Sequence, residues 1–470
     1  MNRLAAARRR AREAGAEEQG QIEGASPERA TKNVARSSES TRVPEPDWLK
    51  SRRDAALELY RSMPLPSTRS EEWRYTDLAR MLRLDDLVPS AGAQPGPASS
   101  NGDGTVPEPL RRAMAQDRDS AGRVIDIDGS AVSVELQDSL AAQGVVLSSL
   151  REAVRGGDPL LESLLATMAV PASDGKFAAM NAALWTDGVF LKIPRNVQLE
   201  RPIRLSRWVS HPGTATFTRI LIVAEDHSRV SFVDEILSPD FEAVTLVNTA
   251  VELFSHAGAQ IQYVSLQRMG KGGFYLANQR TLAKRDSTLD TLNVALGGSV
   301  GRVDLNARLL GPGANSDMLG LYFGDHDQHF DFNTSQDHVA PNAHSDLLYK
   351  GALDDSARGV FRGVIRVHEG AQRTDAYQTN RNLLLSERAA ATSLPNLEIE
   401  ADDVRCSHGA TVGQLDAESL FYLMSRGLDR EQAERLVVLG FLGEVLDKLP
   451  MGGVVEKVTK AIEVKLGHVR

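Results

Sequence analysis

Between about Val189 and Val404 the chain loses helical periodicity and is written as short β-prone runs, and this constrains the fold more than any other feature. Runs such as Val189-Phe-Leu-Lys-Ile193, Arg229-Val-Ser-Phe-Val233 and Val244 to Phe254 carry the β-branched and aromatic residues that suit a pleated, half-buried surface. At Val303, Leu305, Ala307 and Leu309 apolar residues alternate with Asp304, Asn306 and Arg308, so one face turns inward and one toward water. Roughly two hundred residues of such strands, broken by Gly, Asn, Asp and His turns, admit a sandwich, a barrel or a β-solenoid, and periodicity does not separate them. An internal echo, Tyr349-Lys-Gly351 and Phe361-Arg-Gly363, favours stacked rungs with a recurrent tight turn.

Helical patterns flank this region. Residues 1–43 are rich in Ala, Arg, Glu, Ser and Gly, lack the apolar content to offset ordering entropy, and read as a disordered basic tail. Residues 44–175 read as a helical or mixed domain: Trp48, Leu49, Ala55, Leu57, Leu59 and Tyr60 recur near helical spacing, and Val145-Val146-Leu147 suits a strand. Within it, about 89–109 is a Gly, Pro, Ser and Ala connector expected to be mobile. The β core is placed at 176–412 and a C-terminal helical domain at 413–470. There Leu420, Phe421, Leu423 and Met424 form a stripe stopped at Gly427, and Asp429 with Gln432 forms a capping box. Val454, Val458, Ile462 and Leu466 mark a last amphipathic helix. The segment Leu436 to Leu449 carries more apolar surface than one face of a small helical domain needs. It reads either as a helix buried in its own bundle or as a docking surface through Leu436, Val437, Leu439, Phe441 and Leu442.

With 470 residues, 41% hydrophobic and 25% charged, the chain can bury a large core and extends over several domains. Its net charge of -9 argues against a nucleic-acid surface. No apolar stretch approaches the ~20 residues of a membrane-spanning helix; Ile220-Leu-Ile-Val-Ala224 is bounded by Arg219 and Glu225. The early arginines are followed by no apolar h-region, and acids at Glu13, Glu17, Glu18 and Glu23 argue against organelle targeting. A single cysteine, Cys406, permits no intramolecular disulfide, so a reducing cytoplasm is expected.

Cys406 stands two residues before His408 within Leu397-Glu-Ile-Glu-Ala-Asp-Asp-Val-Arg-Cys-Ser-His-Gly-Ala-Thr-Val-Gly413. On a strand, side chains at i and i+2 share a face, so a thiolate and an imidazole could meet a soft or borderline metal, or sulfur species, together. The plain alternative is a buried thiol beside a hydrogen-bonded structural histidine. A thiol hydrolase would need an oriented base and an oxyanion hole, for which the string has no signature. A second cluster, Asp325-His-Asp-Gln-His-Phe-Asp331 with His338 and His344, invites a metal reading through His326, His329, His338 and His344. Solvated turns of a solenoid explain the same residues. No phosphate-cradling G-x-x-x-x-G-K-[ST] loop occurs, and Gly270-Lys-Gly-Gly273 is too short for one, so the chain hydrolyses no ATP by that route.

Cys406-Ser-His-Gly-Ala-Thr-Val-Gly-Gln-Leu-Asp416 with Leu420-Phe-Tyr-Leu-Met-Ser-Arg-Gly427 resembles the C-terminal signature of the SufB/SufD family of iron-sulfur cluster assembly proteins, on its SufD side. Glu71-Glu-Trp-Arg-Tyr-Thr76, Tyr349-Lys-Gly-Ala-Leu353 and Thr374-Asp-Ala-Tyr-Gln-Thr-Asn-Arg-Asn-Leu-Leu-Leu385 resemble it in the same order, from about residue 45 to the end. The resemblance implies a right-handed parallel β-helix flanked by helical domains, a non-catalytic scaffold subunit paired through its β-helix with a SufB-like subunit, or with itself when alone. It also implies a SufC-type ATPase on the C-terminal helices, which is one assignment for Leu436 to Leu442. The family's C-x-H pair falls on Cys406 and His408, where a nascent cluster or iron would be handled transiently and shared with SufB. A cluster usually takes four cysteine ligands and this chain has one, so it binds no conventional cluster alone. Thr379-Asn-Arg-Asn382 stands where the SufB-like sequence resembles Gln-Cys-Asp-Ser, which leaves the sulfur-accepting cysteine to the partner. Two other readings stay open: a purely structural subunit, and a β-helix carbohydrate-active enzyme, although aromatics are only 5% and no carboxylate pair stands out.

Overall fold

The structure, a computed structural model, describes residues 45–90, 106–117, 119–449 and 451–468. The expected tail at 1–43 and most of the connector at 89–109 lie outside the described residues. The core is a parallel β-solenoid of about eight turns, in which each coil contributes one strand to each of two ten-stranded sheets. Along one sheet Val300 pairs with His329, His329 with Arg358 and Arg358 with Ala390, so a coil spends roughly thirty residues, within the range of solenoid repeats.

The recurrent turn sits elsewhere than the echo suggested. Asn196, His227, Gly258, Asp286, Gly313, Asn342 and Arg373 stack at one corner, all with φ between 54° and 64° except Gly313 at 73°. Each donates its N–H to a carbonyl one coil on, as His227 to Ala257 at 2.9 Å and Asn342 to Gln372 at 2.9 Å. Left-handed backbone favours Gly, Asn and Asp, which recur here. Gly351 and Gly363 instead lie mid-strand, where a Cβ would meet the Tyr322 ring at 2.1 Å and Gln378 Oε1 at 2.4 Å. They admit large side chains into the lumen. The aromatic partners of the echo, Tyr349 and Phe361, pack across that lumen with centroids 5.4 Å apart, continuing a run through Phe332 and Tyr322.

The N-terminal region, read as helical or mixed with a strand at Val145 to Leu147, joins the solenoid through strand pairing. Strand Gly122–Ile127 pairs in parallel with Ile203–Trp208 and antiparallel with Ser130–Leu136, and Val146–Ser149 pairs with Asp187–Ile193, so this region starts both sheets. The hairpin turn is Asp128-Gly129, both at positive φ, a signal readable in the sequence. Helices α1 (Asp47–Ser62) and α2 (Lys176–Leu184) cover the outer face of one sheet, and α2 is buried almost all round. Beneath α2, Arg219 and Glu252 pair at 3.0 Å with neither exposed. Glu252 accepts from the Ala166 and Val170 N–H groups, and Arg219 reaches Asn181 on α2.

At the other end the helices α3 (Ala417–Ser425), α4 (Arg430–Lys448) and α5 (Gly452–His468) follow the last strand, and α4 begins with the expected capping box at Asp429 and Gln432. Val438, Leu442, Val445 and Leu446 of α4, with Val454, Val458 and Ile462 of α5, pack on Leu292, Leu319, Leu321 and Leu348 of the second sheet. Lys457 is buried between Asp117 and Glu235, tying α5 to the start of the solenoid.

Glu252→Ala leaves Arg219 buried without its counter-charge. Its expected cost is about 3–5 kcal/mol, read as a lowered urea midpoint, and the double substitution Arg219→Met/Glu252→Leu recovers only part of the loss, because the buried Ala166 and Val170 N–H groups keep no acceptor.

Candidate functional site

The C-terminal end of the solenoid is open. Strands Ala390–Ile399 and Arg405–Gln414 are the last in their sheets, and among the described residues each pairs on one side only. Their outer edges present backbone N–H and C=O groups with no ladder partner, a template for another strand.

Cys406 and His408 stand on this last strand. In register, Cys406 lies over Ala376 and His408 over Gln378, both buried, so the pair continues the inward-facing rows of the lumen at the coil where the roof ends. The i, i+2 spacing therefore places both side chains on one face, as strand geometry requires. Cys406 is half-buried against Ile365, Val367, Ala371 and Leu397, while His408 is exposed. Burial pushes the Cys406 thiol above its ordinary range and the Asp375 carboxylate adds to this, with an opposing hydrogen bond to the Ala376 backbone. In the isolated chain the group is a protonated thiol, and a nearby cation would have to release its proton before it bound metal or attacked sulfur.

Below the pair the lumen turns polar. Gln336 donates to Ser345 Oγ at 2.7 Å and to the Tyr377 carbonyl at 3.1 Å, and His338 Nε2 meets the same hydroxyl at 2.8 Å. Gln336 Oε1, Gln378 Oε1 and His338 Nδ1 have no hydrogen-bond partner there. Burial lowers the pKa of His338 to about 4, so it is a neutral imidazole near pH 7.

The second histidine cluster disperses. Strand His329–His338 alternates its faces, so His329 and Asp331 point outward and His338 into the lumen; His326 occupies an exposed left-handed corner at φ 52°, and His344 is exposed at a strand start. Among the described residues no group of three His, Cys, Asp or Glu side chains is placed to hold a metal ion. His329, its pKa lowered by burial, instead meets the Thr76 hydroxyl at 2.8 Å.

Thr76 ends the Glu71-to-Thr76 motif, whose place sequence reasoning missed. The motif straps onto the outer face of the first sheet: Thr76 donates to Asp331 at 2.5 Å, Trp73 stacks under the Arg302 guanidinium at 3.8 Å, and Glu71 accepts from Arg362 at 3.3 Å.

The proposed docking residues divide. Leu442 is fully buried and Val437, Leu439 and Phe441 are partly covered, because α4 spends most of its apolar surface on the chain's own sheet. Leu442 is therefore unavailable to a partner in this conformation, a correction to the sequence reading. Exposed apolar surface lies instead at Leu436 and on α3, where Phe421, Tyr422 and Met424 are 73%, 56% and 45% exposed. No helix among the described residues is long and apolar enough to cross a membrane.

A family model described as "SUF system FeS cluster assembly, SufBD core domain" matches residues 207–441, and one for the "SufBD protein N-terminal region" matches 120–205. The iron-sulfur cluster assembly protein SufD of Bacillus subtilis is 30% identical over 426 residues, covering 90% of this chain and 95% of that protein. An iron-sulfur cluster assembly SufBD family protein of Staphylococcus haemolyticus is 27% identical over 433 residues, 91% of each chain. One from Staphylococcus aureus strain USA300 matches with the same identity and coverage.

Iodoacetamide alkylation of Cys406 in the isolated chain should show a pH midpoint above that of an ordinary thiol, and Asp375→Asn should move it down, because removing the negative charge favours the thiolate. Leu442→Ala should destabilise the chain alone by about 2–5 kcal/mol in urea, whereas Leu436→Ala should change it by less than about 0.5 kcal/mol.

Proposed function

The chain belongs to the SufBD family of the SUF iron-sulfur cluster assembly system, as a SufD-like subunit, and from that premise we propose that Cys406 and His408 handle iron or sulfur where its open end meets a SufB-like subunit. The observation that carries this reading is the position of the pair on the last strand of the solenoid, beside ladder edges that a homologous solenoid would cover. One thiol and one imidazole supply too few ligands for a conventional cluster, so the nascent cluster or iron is cargo shared across the interface. A partner that brings positive charge or metal to Cys406 would also reverse the rise in its pKa.

The apolar surface of α3 with Leu436 is where a SufC-type ATPase would dock, and ATP hydrolysis belongs to that partner. In this reading α4 acts as a lever: its exposed start carries the partner, while Leu442, Val445 and Leu446 hold the solenoid. The single thiol suits a reducing cytoplasm. Family membership sets the carbohydrate-active rival aside. A purely structural subunit is the remaining second reading, favoured by the half-buried, protonated state of Cys406 in the chain alone.

Co-expression with SufB and SufC partners from the same source, purified anaerobically, should give a stable three-component complex. Phe421→Asp should release the ATPase and leave the SufB contact. Cys406→Ser with His408→Ala should keep the complex and lose cluster formation; intact cluster formation would leave the subunit a structural role only.

A further inference from the structure

On the outer face of the second sheet three carboxylates stand in a row. Strand register sets Asp317 against Asp346, and the Asp317 N–H donates to the Asp290 carboxylate at 3.1 Å, so Asp290, Asp317 and Asp346 stack over three successive coils. Neighbouring strands lie ~4.8 Å apart, a spacing at which adjacent negative charges disfavour one another. Two residues further along each strand, on the same face, stand Leu292, Leu319 and Leu348. On that apolar row pack Leu446 of α4, Leu449 just after it and Val454 of α5. The carboxylates therefore line the edge of the seat on which the α4–α5 junction rests.

One lysine serves the row, and it serves one end. Lys448, the last residue of α4, pairs with Asp346, and its charge also reaches Asp317. His344, two residues before Asp346 on its strand, acts on Asp317 as a second positive group when protonated. Glu444 of α4 acts on Lys448 but is itself held by Lys350. Asp290 lies at the other end, with the uncharged Gln262 on the strand beyond it. Among the described residues the charge that acts on Asp290 is Asp317, which has the same sign.

Three carboxylates with their cation at one end do not all ionise together, and the one farthest from the cation keeps its proton longest. Burial pushes the Asp290 carboxyl up to about 7, and the Asp317 charge adds to the rise, against a hydrogen bond from the Asp317 backbone. Burial, with Asp346, raises Asp317 as well. A carboxyl raised in the seated form and ordinary once rehydrated favours seating at low pH, and this contribution is lost as pH rises through about 7.

We propose that the Asp290, Asp317 and Asp346 row with Lys448 is a proton-operated latch for the α4–α5 junction. The junction stays seated while Asp290 holds a proton, and it lifts more often once that proton has passed to solvent and the row is fully ionised. The latch is a property of the chain alone and does not rest on the cluster-assembly reading.

Hydrogen exchange of the full chain, read on peptides covering 442–449 and 454–462 and corrected for the intrinsic effect of pH on exchange, tests this directly. Opening of these segments should be about tenfold more frequent at pH 8 than at pH 6, the change expected for a carboxyl at about 7 when seated and ~4 when rehydrated. Asp290→Asn keeps an oxygen for the Asp317 N–H and cannot ionise, so its opening should change less than about twofold over the same range. His344→Asn removes the imidazole of this face and should keep the tenfold change. The proposal is overturned if the natural chain opens equally at pH 6 and pH 8, or if Asp290→Asn opens as steeply with pH as the natural chain. Loss of the pH effect in His344→Asn overturns it too, since the proton would then belong to the histidine.

Discussion

Backbone pairing between successive coils governs this molecule. In a parallel solenoid a strand finds its hydrogen bonds in the coils before and after it, so every interior coil is satisfied and the two ends are not. The N-terminal end is closed by the hairpin of Gly122–Ile127 and Ser130–Leu136, by the antiparallel strand Val146–Ser149, and by helices. The C-terminal end is left as two ten-residue edges. That asymmetry leaves one end covered and the other with unpaired strand edges, and the single cysteine of the sequence stands on the last strand of that open end.

The outer faces of the sheets carry the rest of the architecture. One receives α1, α2 and the Glu71-to-Thr76 strap, and the Arg219–Glu252 pair beneath α2 also holds the backbone around Ala166 and Val170. Such a pair offsets its own desolvation only when its remaining hydrogen-bonding sites are filled, and Ala166, Val170 and Asn181 fill them. The other face receives α4 and α5, with Lys457 between Asp117 and Glu235 and Lys465 beside Asp325. Apolar area fixes α4 in place and leaves Leu436, with Phe421, Tyr422 and Met424 of α3, as exposed apolar surface.

One expectation was right for a reason other than the residue pattern that suggested it. The solenoid is present, yet the aromatic-basic-Gly echo marks two strands that face each other across the lumen rather than two turns. The stacked corner from Asn196 to Arg373 was harder to read, because only backbone sign unites Asn, His, Gly, Asp and Arg. The Asp128-Gly129 hairpin was legible but went unread. The histidines from His326 to His344 are close in sequence and apart in space, because alternation along one strand sends His329 outward and His338 inward.

By itself the sequence determined the β-rich core, the helical caps, the capping box at Asp429 and the shared face of Cys406 and His408, since each follows from local backbone geometry and a period of two or 3.6 residues. Its motifs also identified the family. Only the tertiary structure decided that Cys406 and His408 close the inner row of an unroofed coil, that Leu442 is core while Phe421 is surface, and that Trp73 stacks on Arg302. These are contacts between residues far apart in the chain, fixed by which coil lies above which and which helix lies on which sheet, and no local pattern encodes them.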